Sequence, residues 1–358
     1  MNGPDSTNPP DPDKPPYAGD AGGAEVFRAE LTRRAADAGF PAVGIAPADL
    51  AEAHHADRLA VWLAAGLHGE MEYLARAGID RARAETVLPG ARAVIVFAAP
   101  YHPGPELAAD PAAGGPTVKI AKYALGEDYH DTLRRRLGPV VDWLDASHPG
   151  HAWRICVDSA PLLERAFAEA AGVGFFGKNT LLIVPKLGSF FLLAEIVTTA
   201  PLPPDTPVTG TCGTCTRCLD ACPTGAFPMP GILDARKCLS YLTIEKKSPL
   251  DDSERAAVAD AGWAFGCDIC QDVCPYNKRP PAGLPEFAEG ATVRRAEPAA
   301  TFLDPASNGQ FERRFADSPI LRPGRRRVRA AVEVIAEKLT ATQGRGEEAK
   351  ASSGPPEG

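Results

Sequence analysis

Four cysteines, Cys212, Cys215, Cys218 and Cys222, fall within "GTCGTCTRCLDACPTGAF", and Pro223 follows the last of them. The run reads C-x2-C-x2-C-x3-C-P. Thiolates at that spacing hold iron–sulfur cubes: the first three bind one [4Fe–4S] cluster and the fourth reaches a second. A second cluster needs more thiolates, and "CDICQDVCP" supplies Cys267, Cys270 and Cys274, with Pro275 after the last. Cys238 completes the set. The crossover assigns Cys212, Cys215, Cys218 and Cys274 to cluster one, and Cys222, Cys238, Cys267 and Cys270 to cluster two. Structural zinc also uses C-x2-C pairs, but a close third cysteine followed by C-P departs from its habit. Cys156 stands apart in an apolar strand, where a thiol serves as a small hydrophobe.

Two cubes imply electron transfer. The chain has 358 residues, far more than a ferredoxin domain needs, so the electrons are expected to serve something held by the segment before the cysteines. Net charge −8 argues against a protein that coats nucleic acid with uniform positive charge. The runs "RRR" at 134–136 and "RPGRRRVR" at 322–329 are candidates for a local basic face; the plainer alternative is solvated helix surface. No stretch approaches the ~18–20 apolar residues of a membrane helix. The opening "MNGPDSTNPPDPDKPPYAGDAGG" lacks the basic start and apolar core of a secretory signal. It reads as a disordered leader over 1–23. A reducing, cytoplasmic compartment is therefore expected, where nine cysteines mean metal or redox chemistry.

These residues need elements to position them. "AEVFRAELTRRAADA" reads as an amphipathic helix ending before Gly39, and "AVGIAP" as a strand. "ADRLAVWLAAG" is helical. "AVIVFAAPY" is a continuous apolar run of strand length, buried on both sides. "DTLRRRLGPVVDWLDA" is helical despite Pro139. "AWRICVD" is a strand, and "PLLERAFAEAAG" a helix with Pro161 in its first turn. "TLLIVP" and "SFFLLAEIVTT" read as a hairpin across "KLG". Mixed helices and strands over 24–204 predict an α/β or α+β domain. "APLPPDTPVTGT" reads as a linker into a cysteine domain over 205–280. Residues 281–340 are expected to wrap back with the basic run, and 341–358 to form a disordered tail. Asp158 ends a strand and precedes a helix. As an N-cap, helped by Ser159, it would be structural; at a strand's end beside a ligand it would be chemical.

"VDSAPLLERAFAEAAGVGFFGKNTLLI" and "CLSYLTIEKK", together with the crossed cysteine runs, resemble the epoxyqueuosine reductase family. So do "HGEMEYL", "LPGARAVIVFAAPY" and "KYALGEDYH". The resemblance covers about residues 25–330. It implies an α+β fold, with an α/β-type cobalamin-binding domain and a ferredoxin-like domain carrying two [4Fe–4S] clusters. It also implies reduction of an epoxide on the wobble nucleoside of tRNA to an alkene. Cluster one would take electrons from an external donor such as flavodoxin or ferredoxin, and cluster two would pass them to cobalt. A monomer is expected.

The family's proton donor falls on Asp158, whose pKa would have to be raised to serve near neutral pH. Cobalamin contacts of the family fall on Ala121, Asp158, Leu182, Leu193, Ser240, Cys267 and Asp268, and a tRNA contact on Lys247. Without the resemblance, Leu182 and Leu193 would be strand core and Lys247 an exposed lysine. "DYHDTL" lacks the glycine of the D-x-H-x-x-G motif, Leu133 standing in its place, so it does not mark a lower cobalt ligand. Tyr129 and His130 could face substrate or pack in the core. Relatives often continue into a helical extension after the basic run; arginines 322–329 could take over its phosphate contacts. Two other readings fit the residues: a corrinoid reductive dehalogenase, and a non-enzymatic electron carrier or cobalamin chaperone.

Overall fold

The computed structural model describes residues 21–51, 54–104, 116–288 and 293–352. Residues 1–20 of the expected leader lie outside them, as do 353–358. The first part of the chain runs α1 (Ala21–Asp37), β1 (Ala42–Pro47), α2 (His54–Ala64), α3 (Glu72–Ala77), β2 (Ala93–Pro100) and β3 (Thr117–Ile120). It continues through α4 (Tyr129–Ser147), β4 (Trp153–Cys156), α5 (Glu164–Ala170), β5 (Phe175–Phe176), β6 (Leu182–Ile183) and β7 (Phe191–Thr198). After the first cysteine run come α6 (Leu239–Ile244), α7 (Asp252–Ala261), β8 (Trp263–Phe265), β9 (Ala296–Pro298), α8 (Asn308–Arg314) and α9 (Arg325–Ser352).

The main sheet has the order β1-β2-β7-β4 and is antiparallel throughout. The fold is therefore α+β. Strand β2 is buried along its whole length, because helices cover both faces of the sheet. Ile95 and Phe97 point to a core shared with Phe27 and Leu31 of α1 and Leu133, Leu137 and Leu144 of α4. Val94, Val96 and Ala98 alternate to the other face, against Ala166, Phe167 and Ala168 of α5. Helix α5 lies very close to the sheet: a Cβ on Gly44 of β1 would meet the Ala171 carbonyl oxygen at 2.0 Å.

A second core joins distant parts of the chain. Strand β3 pairs in parallel with β8 and antiparallel with β9. Val118 and Ile120 thus pack with Phe265, Phe302, Phe315 and the α9 residues Val328, Val332 and Ile335. The stretch read as a linker is strapped down. Ala200 and Leu202 are buried in the first core. The Asp205 carboxylate accepts the Ile45 N–H at 2.8 Å and pairs with Arg28 at 2.9 Å.

Several local expectations change. "TLLIVP" and "SFFLLAEIVTT" are not hairpin partners: β6 pairs with β5, and β7 belongs to the main sheet. The "KLG" turn is closed by a Val184–Gly188 bridge and by the Leu187 N–H on the Val184 carbonyl. Phe175 and Phe176 compete for the β6 edge because they lie just across the turn closed by the Gly177 N–H on the Leu181 carbonyl. The helix expected from Pro161 begins at Glu164, with Leu163 at its N-cap. Helix α9 runs on to Ser352, through much of the segment read as a disordered tail. Among the described residues, no helix is long and apolar enough to cross a membrane.

Candidate active site

Eight of the cysteines gather in two neighbouring groups. Cys212, Cys215, Cys218 and Cys274 line one cleft with Asn179, Ile183, Pro275 and Tyr276. Cys267 lies in the field of Cys238 and Cys222, and Cys270 in that of Cys267 and Cys238. Cys270 also feels Cys218, so the two foursomes are neighbours. All nine cysteines are free thiols. Burial pushes Cys267 up to about 12, with Cys238 and Cys222 adding to it. Crowded, desolvated thiols of this kind ionise only beside a cation, and iron supplies one. The donor set fits two [4Fe–4S] clusters.

The "GKNT" stretch clasps both cysteine loops. The Lys178 ammonium donates to the carbonyls of Gly213 at 2.7 Å and Cys215 at 2.9 Å. The Asn179 amide donates to the Cys270 carbonyl at 3.4 Å. Thr180 closes the turn with φ +66°.

Asp158 is not an N-cap, since α5 starts at Glu164. It stands in a left-handed conformation, φ +55°, between β4 and α5. Its Oδ2 accepts the Tyr129 hydroxyl at 2.7 Å and faces His130 Nε2 at 3.2 Å. His130 is itself held by Asp128, Nδ1 to Oδ1, at 2.6 Å. Both aromatic residues sit at the start of α4, where Asp128 is the N-cap and accepts the His130 N–H. The sequence left open whether Tyr129 and His130 face a site or the core; their ring atoms are buried and their polar atoms meet Asp158.

The charge state differs from the expectation. Burial pulls the Asp158 carboxyl up, but the hydrogen bonds from His130 and Tyr129 together outweigh it, and the net shift is down. His130 moves the other way. Burial lowers it, the Asp128 and Asp158 bonds raise it more, and the net shift is up. At rest the proton therefore sits on the imidazole, between two carboxylates.

Asp158 lines a hollow. Its side chain is 54% exposed, yet burial is the largest influence on it. Arg165 is likewise exposed and yet held below its usual value by burial. Side chains that water reaches and protein still surrounds mark a recess. Tyr73, Tyr123, Glu245 and Arg322 lie within electrostatic reach of Asp158. Desolvation pushes the Tyr73 hydroxyl up to about 12.

The residues carried over from the resemblance form two groups. Ala121 is buried and donates its N–H to the Phe265 carbonyl at 2.9 Å. Asp268 is buried and accepts the Lys122 N–H at 2.9 Å. The Lys122 ammonium lies 3.7 Å from the same carboxylate. Ser240 joins them through Thr243, whose hydroxyl contacts the Ser240 carbonyl and accepts the Gly266 N–H. Ala121, Ser240, Cys267 and Asp268 thus lie close to one another. Leu182 and Leu193 pack together in the α5-facing core. Lys247 is exposed; its backbone N–H is held by Glu70 at 2.7 Å. Most of the basic run is used internally. Arg325, Arg327 and Arg329 donate to the carbonyls of Pro305, Ile244 and Leu303. In the other run Arg136 makes a two-pronged pair with Glu286.

Sequence reasoning missed Glu164 and Glu195. The Asp158 N–H donates to Glu164 Oε1 at 2.5 Å, and Glu195 is fully buried in β7. A lone glutamate inside "FFLLAEIVTT" was the available signal.

The chain is similar to known proteins. Residues 81–159 match the family described as "Epoxyqueuosine reductase QueG, DUF1730". Residues 211–277 match the "4Fe-4S double cluster binding domain". The epoxyqueuosine reductase of Pseudomonas aeruginosa is 41% identical over 288 residues, 80% of this chain and 78% of that protein. That of Gloeobacter violaceus is 44% identical over 251 residues, 70% of this chain and 76% of the relative. A crystal structure of epoxyqueuosine reductase with an epoxyqueuosine-modified tRNA-Tyr stem loop superposes with a TM-score of 0.76 at 30% identity, covering 87% of this chain and 81% of that one. The chain belongs to the epoxyqueuosine reductase family.

Proposed function

We propose that this chain reduces epoxyqueuosine to queuosine at the wobble position of tRNA, with Asp158 as the proton donor. The observation that carries this is the Asp158 carboxylate, half open to a recess and bonded to Tyr129 and His130. Two [4Fe–4S] clusters and cobalamin are the cofactors, and the cobalamin supplies a strongly reducing centre beside the epoxide. Ala121, Ser240, Cys267 and Asp268 on one side, and Leu182 and Leu193 on the other, would hold it. The reaction consumes two electrons and two protons, breaks the epoxide C–O bonds and releases water. An unprotonated oxygen is a poor leaving group, so a general acid must meet it. The proton held on His130 passes to Asp158, which gives it to that oxygen as negative charge builds there. His130 reloads Asp158 across the 3.2 Å contact, held in place by Asp128. Lys247 would contact the tRNA backbone. An external low-potential carrier, a flavodoxin or ferredoxin, would feed cluster one, and the protein would act as a monomer in the cytoplasm.

The test is anaerobic turnover. Protein with both clusters and cobalamin, a low-potential reductant and epoxyqueuosine-containing tRNA are incubated, and the digested nucleosides are weighed by mass spectrometry. Cobalamin-dependent formation of a nucleoside lighter by one oxygen is expected. No conversion with every cofactor present would overturn the assignment.

A further inference from the structure

We infer that Glu164 and Glu195 are positioning residues that share one proton beneath Asp158, and that this acid pair holds the Asp158 backbone in the conformation that presents its carboxyl to the recess. The inference rests on Asp158 being the proton donor.

Glu195 has 0% exposure. It lies in β7 with Cys156 opposite on β4 and Val96 opposite on β2. No N–H or O–H group among the described residues reaches either of its carboxyl oxygens. A bare carboxylate in such a place is strongly unfavourable. The Glu164 carboxyl, at the start of α5, lies near enough for each of the two to act on the other. Two carboxylates cannot bond without a proton between them, and like charges at that range do not both ionise. The neutral member is Glu195, the more deeply buried; its O–H donates to Glu164.

That leaves Glu164, the more readily ionised of the two, free to accept elsewhere. Its Oε1 takes the Asp158 N–H at 2.5 Å, a charge-assisted bond. Asp158 needs such a hold. A non-glycine residue at φ +55° is strained and persists only when its surroundings fix it. The charged and titratable groups facing the pair are Asp158, Arg165 and Cys156. Only Arg165 is cationic, and it acts on Glu164. Burial, followed by the neighbouring carboxylates, pushes both glutamates up, Glu164 to about 7.

Five single variants and one pair test this. Glu195→Gln keeps a donor toward Glu164, and Glu164→Gln keeps an acceptor for the Asp158 N–H. Each should retain turnover within about threefold. Glu195→Leu and Glu164→Leu keep the volume and lose the bond. Each should lower kcat by about tenfold to a hundredfold, as for a misplaced reacting group, with KM for the modified tRNA stem loop and the cluster and cobalamin spectra unchanged. Adding Asp158→Asn to Glu195→Leu should cost no more than Asp158→Asn alone. Full turnover in the leucine variants, equal damage from glutamine and leucine, or an additive double variant would overturn the inference. An active Asp158→Asn protein would instead overturn the donor assignment itself. Infrared difference spectra of the folded holoprotein serve if the leucine variants do not fold. A buried protonated-carboxyl band should vanish in Glu195→Gln and survive in Asp158→Asn, and its absence from the unsubstituted protein also overturns the inference.

Discussion

Asp158 and His130 form one unit with a proton to place. The carboxylate is held down by two hydrogen bonds and the imidazole is held up by two carboxylates. A neutral side chain at 158 cannot supply the proton, so Asp158→Asn should lower kcat by about 10²–10⁴ with cofactor content unchanged. Single-turnover kinetics check this, and wild-type rates in the variant would exclude the role. The pH dependence has a definite sign. His130 has a raised pKa, so its charged form is present below that value and lost above it. Turnover should fall as pH rises past the ordinary histidine range, and His130→Gln should flatten that limb. A limb unchanged in the variant would assign it to another group. The cysteines were legible in the sequence because ligand spacing is local chemistry written along the chain. The Asp158 unit was not. Tyr129, His130 and Glu195 come from other elements, and nothing in their local sequence states where their side chains meet.

At the scale of elements, helix α5 carries the argument. Its first residue holds the Asp158 N–H and its far end rests on β1. Gly44→Ala would drive a methyl group into the Ala171 carbonyl, and α5 must retreat. Overpacking of this kind costs about 1–3 kcal/mol. A fall in the thermal midpoint, together with reduced kcat, is expected; unchanged values in both would mean that α5 tolerates the shift. The same element shows where periodicity misleads. The apolar pattern from Pro161 suggested a helix that begins too early, which made Asp158 look like its cap. The chain in fact passes through bends over residues 158–162 before Glu164 starts the helix. The "KLG" hairpin failed for a related reason. Strand patterning identifies β6 and β7 as strands but does not choose their partners, and Phe175–Phe176 takes the β6 edge. The long antiparallel sheet was legible in its buried strands, since helices on both faces leave β2 with no polar side.

The described residues form cores of different dependence. Those on the two faces of the main sheet contain no cysteine of the two runs. The one around β3 and β8 packs Cys238 and Cys267 against its edge and closes with α9. Metal binding of this kind is coupled to folding. Removal of both clusters should therefore loosen β3, β8 and α9 while leaving the main sheet protected. Hydrogen exchange followed by mass spectrometry reads this, and uniform loss or uniform retention of protection would contradict it. The crossed ligands also set an order in time. In the proposed assignment cluster one takes Cys274 with Cys212, which line one cleft, and β3 pairs with β8 and β9, which come from much later in the chain. At roughly 5–20 residues per second, the wait on the ribosome between the first ligand and the last is several seconds. During that interval the early thiols have no partner set, and β3 presents an unpaired edge. In that assignment cluster one cannot be completed until Cys274 has been made, so the early thiols wait for a partner that the ribosome delivers late.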